Sequence, residues 1–133
     1  MKRVVLDASA LMTFFEDRPG ARMVEDLIKR AIEGKIELLM SVINWGEVYY
    51  STWRMRGQAT AKAVMDRIAQ LPIEVIAADI DSTRLAAELK AQHKMPYADS
   101  FAAALAQTRD AAVATCDAGF TSLEKQLAFV WIR

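Results

Sequence analysis

The fold class this sequence predicts is a three-layer α/β/α sandwich around a mostly parallel central sheet, and three observations predict it. Five short apolar runs, at residues 4–6, 36–40, 73–76, 112–115 and 129–132, alternate along the chain with stretches of helical periodicity. The first run, Val4-Val5-Leu6, is apolar without a polar alternate, as expected of a strand covered on both faces. The chain has 133 residues and is 53% hydrophobic, enough to bury one core without disulfides or structural metals. No linker, internal repeat or low-complexity tract divides it, so residues 1–133 read as a single domain.

Taken in order, the first strand ends on Asp7. Either Asp7 or Ser9 can cap a short helix reaching about Phe15, and residues 16–20 (Glu-Asp-Arg-Pro-Gly) read as a loop. Met23, Val24, Leu27, Ile28, Ala31 and Ile32 then mark one side of an amphipathic helix, with Gly34 at its C′ position. The second strand stops at Ser41, an N-cap for a helix from Val42 to about Arg56, which Gly57 ends. Thr60 to Leu71 predicts a fourth helix on the seam Ala61, Val64, Ile68 and Leu71, stopped by Pro72, and the two form a helical hairpin. After the third strand, Asp81 is the expected cap of a helix from Ser82 to about His93. Tyr97-Ala98-Asp99-Ser100 opens another, whose row Asp99, Ala102, Ala103 and Ala106 is small enough for close approach of a neighbouring backbone. The fourth strand stops near Asp117. Thr121-Ser122-Leu123-Glu124 matches a capping box for a last short helix before the closing strand.

Lys+Arg and Asp+Glu balance at 17 each, so net charge does not advertise a nucleic-acid partner; such binding has to rest on a local basic patch or a bound cation. The single cysteine, Cys116, excludes an intramolecular disulfide and a cysteine-based zinc site, in keeping with a reducing cytoplasm. Met1-Lys2-Arg3 is followed by only three apolar residues before Asp7, so no targeting segment is expected, and no run reaches the 18 or so apolar residues of a membrane span.

Four acids are the candidates for carrying chemistry. A parallel sheet sends Asp7 and Asp117, each following an apolar strand, to the same carboxyl edge, where ligands bind in open α/β sheets. Asp99 stands in the first turn of a helix, whose dipole favours its ionised form. Glu47 lies on the row of Ile43 and Tyr50 amid Trp45, Val48, Tyr49 and Trp53, and a carboxylate on an apolar face must be paired, protonated or metal-bound. If the four meet, two unit charges about 4 Å apart repel by about 4 kcal/mol at an effective dielectric near 20. Some must then take up protons, or a divalent cation must sit among them. All-oxygen donors suit Mg²⁺ or Mn²⁺ better than Zn²⁺.

Four segments in this order, Val4-Val5-Leu6-Asp7-Ala8-Ser9-Ala10-Leu11, Ser41-Val42-Ile43 through Glu47-Val48-Tyr49, Tyr97-Ala98-Asp99-Ser100-Phe101-Ala102-Ala103-Ala104 and Ala114-Thr115-Cys116-Asp117-Ala118-Gly119-Phe120, resemble PIN-domain ribonucleases, and among them the VapC-type toxins of toxin–antitoxin systems. The resemblance covers the whole chain. It implies that Asp7, Glu47, Asp99 and Asp117 are a catalytic acidic quartet, with Ser9 and Thr115 as supporting hydroxyls. Asp7 and Asp99 would ligate Mg²⁺ (or Mn²⁺) directly, Asp117 directly or through water, and Glu47 would hold the nucleophilic water or a second cation. It further implies metal-dependent endoribonuclease activity on RNA in the cytoplasm, a homodimer, and a VapB-type antitoxin covering an apolar groove. Gly119 departs from the family, many members of which carry a further acid there. Ser100 replaces a common alanine.

Each acid also has an ordinary reading: Asp7 as a helix cap, Asp117 as a turn residue before Ala118-Gly119, Asp99 as a first-turn charge. His93 suits a helix end, and Cys116 reads as buried packing. The aromatic cluster Trp45, Tyr49, Tyr50 and Trp53 reads as core or interface before base-stacking platform. Arg54, Arg56, Lys62 and Arg67 are either the solvated side of the hairpin or a phosphate track. Two other functions compete. A phospho-acceptor receiver domain wants paired acids after the first strand and a lysine after a late one, and this chain has neither. A non-cleaving PIN-type module that binds RNA or protein is the alternative that Gly119 leaves open.

Overall fold

The computed structural model describes residues 2–133; Met1, part of the stretch read as lacking a targeting signal, lies outside them. In chain order the elements are β1 (Lys2–Leu6), α1 (Ala8–Phe15), α2 (Ala21–Ile32), β2 (Ile36–Ser41), α3 (Val42–Arg56), α4 (Gln58–Gln70), β3 (Ile73–Ile76), α5 (Ile80–Gln92), α6 (Tyr97–Arg109), β4 (Ala112–Thr115), a 3₁₀ helix (Ala118–Leu123) and β5 (Phe129–Trp131). The five strands form one sheet in the order β3-β2-β1-β4-β5, and every pairing is parallel.

The sheet is covered on both faces. Val4, Leu6, Leu38 and Met40 belong to one core with Leu11, Val24, Leu27, Val48 and Ile68 of α1 to α4. Val5, Leu39 and Val113 belong to a second core, with Leu89 of α5 and Phe101 and Ala102 of α6. Consecutive residues of β1 therefore serve opposite layers, each buried Val or Leu contributing about 1.5–3 kcal/mol. Because both faces are apolar, burial alone does not select the register of β1, and its polar ends do. Arg3 pairs in register with Glu37, and its Nε lies 2.9 Å from the Glu37 carboxylate. At the other end Leu6 pairs with Ala114.

This order has a switch point. The chain builds β2 and β3 on one side of β1, then crosses to add β4 and β5 on the other, so the carboxyl ends of β1 and β4 flank the crevice where such sheets bind ligands. Asp7 N–H donates to the Ala114 carbonyl there (3.3 Å). From the β2 side, Ser41 accepts from the Ile43 N–H at 3.2 Å and starts α3, which packs against both α1 and α6.

Several boundaries move. Asp7, not Ser9, caps α1. α4 begins at Gln58, because Gly57 at φ +91° alone makes the joint of the helical hairpin, and it ends at Gln70 with Leu71 as cap. Asp79, not Asp81, caps α5: its side chain reaches the Ser82 N–H at 2.8 Å, while Asp81 stands in the first turn, exposed and paired with Arg84. The last helix is a 3₁₀ helix that starts earlier, because Asp117 caps it; Thr121–Glu124 lies at its end. No helix among the described residues is long and apolar enough to cross a membrane.

Candidate active site

Asp7 is 1% exposed and held from three sides. Its Oδ1 accepts from the Ser9 hydroxyl (2.7 Å) and the Ala10 N–H (2.9 Å), and its Oδ2 accepts from the Thr115 hydroxyl (2.5 Å). The same hydroxyls tie down the loop after β4, since Thr115 Oγ1 accepts from the Asp117 N–H (2.9 Å) and Ser9 Oγ from the Cys116 N–H (3.1 Å). Burial pushes the Asp7 carboxyl up to about 6, against the pull of these donors, with Asp117 adding a smaller push.

Asp99 is brought to the same place by the small residues of α6. Ala102, Ala103 and Ala106 are almost wholly buried, which lets the helix lie against β1, β2 and β4. The Asp99 side chain is buried, and its Oδ2 has no hydrogen-bond partner. Its carboxyl is pushed up to about 8, first by burial, then by Asp117 as acceptor for the protonated form, then by the charges of Asp117, Asp7 and Glu47. Two ionised carboxylates are both acceptors, so Oδ2 finds a partner only when a proton or a cation enters the gap.

Glu47 approaches from α3. It is half-buried, its pKa is raised by burial and by Asp117, and the Asn44 amide counters this by donating to Oε1 at 3.4 Å. Asp117 is half-buried at the loop, its Oδ1 accepting from the Gly119 N–H (2.8 Å). All four predicted acids thus influence one another around Asp99.

The sequence of residues 4–126 matches the family model described as PIN domain. The chain belongs to the PIN-domain family. Among curated proteins no sequence matches it. Solved structures share the fold: VapBC2 from Rickettsia felis bound to a DNA fragment from their promoter (14% identity, TM-score 0.78, covering 98% of this chain and 99% of that one), DNA-bound VapBC from Salmonella typhimurium (18%, 0.75, all of both chains), and Mycobacterium tuberculosis VapC20, a sarcin–ricin loop cleaving toxin (16%, 0.70, 90% and 93%).

Within this PIN domain the donor set suits a hard cation, being all oxygen with one buried carboxylate oxygen free. Among the described residues no three His, Cys, Asp or Glu side chains are disposed as a closed ligand shell, although the charges of four acids reach one another. The two facts agree once the hydrogen bonds are counted: Asp7 already accepts three and one Asp117 oxygen is turned to its own helix cap. Magnesium needs only one or two direct carboxylates. Asp99 has the free oxygen, so it is the best placed to supply one.

Three details depart from the sequence reading. The buried face of α3 is Asn44, Val48 and Thr52, whereas Ile43, Tyr50 and Trp53 are exposed, so Glu47 stands at the rim of the crevice and not within an apolar face. Cys116 is exposed, because the chain leaves the sheet after Thr115; its Sγ meets the Thr13 hydroxyl at 3.2 Å. The third is Asn44, which composition and motif do not single out. It is fully buried and its Nδ2 also donates to the Ala98 carbonyl at 3.0 Å. A polar residue three positions before Glu47, on the same helical row, was the available signal. His93 serves as the C-cap of α5. Arg54 lies over the Tyr50 ring and Arg67 over that of Phe15, which fits the solvated side of the hairpin.

Proposed function

We propose that this PIN domain is a metal-dependent endoribonuclease and the toxin component of a VapBC-type pair. The observation that carries the reading is the unpaired buried oxygen of Asp99 with Asp7, Glu47 and Asp117 around it: an arrangement poor for stability and suited to a divalent cation. Asp99 and Asp117 would hold Mg²⁺ or Mn²⁺, with Asp7 directly or through the cation's own waters. When bound, the cation lowers the pKa of a water and offsets charge at phosphorus.

The chain's own residues do the rest. Ser9 and Thr115 keep Asp7 fixed and ionisable in a buried place. Asp99 gives up its proton on loading. Glu47, at the rim and with a raised pKa, would hold a water of the cation and so add to the cation's affinity for the site, and it takes a proton from that water as it attacks. Water oxygen bonds to phosphorus as the bond to the leaving sugar oxygen breaks, and that oxygen leaves with a proton, giving a phosphomonoester and a hydroxyl. The VapC20 neighbour, a cleaving toxin, supports cleavage as the activity, and the VapBC neighbours support an antitoxin partner.

The antitoxin has a candidate seat beside the site. An open groove of about 430 Å³ along α3 is lined by Gly46, Tyr49, Tyr50, Trp53 and Arg54. It starts one residue from Glu47. Family resemblance supports a homodimer as the toxin's own assembly. The test is to incubate purified protein with total RNA in Mg²⁺, Mn²⁺ or EDTA, beside Asp7→Asn and Asp99→Asn. Discrete cleavage that needs metal and both carboxylates is expected. Cutting that persists in EDTA would overturn the mechanism, and inactivity on every RNA would favour a non-cleaving binding module.

A further inference from the structure

Asn44 is a fully buried side chain that hydrogen-bonds to both of the helices that carry Glu47 and Asp99. Its carboxamide nitrogen donates to the Ala98 carbonyl at 3.0 Å and to Glu47 Oε1 at 3.4 Å, so both of its hydrogens are committed, one to each helix. The orientation is fixed by chemistry: turning the amide over would set its oxygen against a carbonyl and a carboxylate, both acceptors. In the orientation observed, Asn44 Oδ1 is buried and no protein donor reaches it.

A residue kept only for packing has no reason to look like this. An apolar side chain of similar size would fill the seam between α3 and α6 without stranding a buried acceptor. Asn44 instead makes its shorter bond to the residue before Asp99 and its longer one to Glu47. The first turn of α6 is therefore the anchor, and Glu47 is the group being aimed. Without that amide, Glu47 at the exposed rim is free to turn to solvent.

We propose that Asn44 is a positioning residue of this site, acting through Glu47 by fixing its carboxylate relative to Asp99 and the first turn of α6. The inference rests on the nuclease reading for its consequence in catalysis and on geometry alone for the coupling. Residues of this kind, which orient a ligand or base without touching substrate, change affinity or activity by about 10–100-fold when removed.

The experiment is a double-mutant cycle of Asn44→Ala and Glu47→Gln, read in Mn²⁺ affinity by calorimetry without RNA, and in kcat and KM on an RNA that the wild type cuts. Expected is a loss of about tenfold or more in Mn²⁺ affinity and in kcat for Asn44→Ala, with KM little changed, and almost no further loss when Glu47 is already glutamine. Asn44→Ser, which keeps one short donor, should recover part of the loss and decides the matter if the alanine variant does not fold. Additive losses across the cycle, or an Asn44→Ser protein with wild-type affinity and kcat alongside a folded Asn44→Ala protein equally unaffected, would overturn the proposal. Because the Mn²⁺ arm needs no substrate, a wild type that binds metal and cuts nothing would defeat the nuclease reading while the cycle still decides Asn44. A wild type that binds no Mn²⁺ defeats both.

Discussion

Replacing Asp99 by asparagine should stabilise the metal-free protein at pH 8 while removing its response to metal. The Asp99 carboxyl is raised from 3.8 to about 8 in the folded state. A group raised in this way contributes stability that is full below pH 4, where folded and unfolded chains both hold the proton. It is lost progressively as pH climbs through 8, because between those values only the folded chain still binds the proton. At about 1.4 kcal/mol per pH unit the ceiling on that loss is about 6 kcal/mol. Solvent access beside the half-buried Glu47 and Asp117 softens both the desolvation of Asp99 and the repulsion on it, which brings the expected difference to about 2–3 kcal/mol. Asparagine keeps the shape and removes the charge. Urea denaturation in EDTA, followed through the three tryptophans, should then show Asp99→Asn more stable than wild type at pH 8 and equal to it near pH 4. Adding Mg²⁺ or Mn²⁺ at a hundred times its Kd should raise wild-type stability by about 2.7 kcal/mol and leave the variant unmoved. A variant less stable than wild type at pH 8, or a difference that does not change with pH, would refute the claim that burial, and after it the neighbouring acids, raises the Asp99 carboxyl.

Other consequences follow from the same cluster. Metal must displace the Asp99 proton, so Mn²⁺ binding at pH 7 should release about one proton, and the apparent affinity should rise about tenfold per pH unit until it levels off near pH 8; calorimetry in buffers of different ionisation enthalpy measures both. Thr115→Val keeps the shape of the side chain but removes a donor to Asp7, and should destabilise the protein at pH 8 by about 1.5–3 kcal/mol in urea, with a smaller effect at pH 4, where Asp7 is neutral. Gly119→Asp would place a Cβ 3.1 Å from Asp117 Oδ1 and 3.6 Å from Asp99 Oδ2, restoring an acid beside the site. It should cost up to about 4 kcal/mol in EDTA and increase the stabilisation by Mn²⁺, both read as shifts in Tm; an unchanged metal response would show that position 119 does not face the cation.

How much of this was legible in the sequence depends on what kind of force placed each part. The apolar runs at β1 and β4 report burial on both faces, and a buried parallel sheet brings their carboxyl ends together whatever the loops do; hence Asp7 and Asp117 could be matched without seeing them. Helix ends were less legible, because they turn on single hydrogen bonds. Asp79 and Asp81 are both plausible caps by composition, and only the extended backbone of Asp79, aimed at the Ser82 N–H, decides between them. The reason for which the sequence singles out Glu47 is incomplete. Its neighbours Ile43 and Tyr50 are exposed, and the buried face of α3 carries the polar Asn44 and Thr52. Helical spacing shows that residues share a row and not which row faces inward when both are mixed.

The same mixing explains the unusual composition of α3. An ordinary core helix would place its apolar row inward and its charges outward, but α3 must bring a carboxylate to the rim of the crevice, an amide to the seam with α6, and large aromatic rings to the surface. Trp53 at 43% exposed and Tyr50 at 51% would be costly on a surface that met only water. Their stability comes from one another and from their neighbours: Tyr49 packs on Trp45 and Trp53, and Arg54 covers Tyr50. The helix is thus shaped by two demands that its own burial does not make, one from the acid cluster that Glu47 joins and one from whatever lies along its outer face. Changing Tyr50 or Trp53 should therefore weaken partner capture while leaving RNA cleavage by the free protein intact, whereas changing Glu47 should do the reverse.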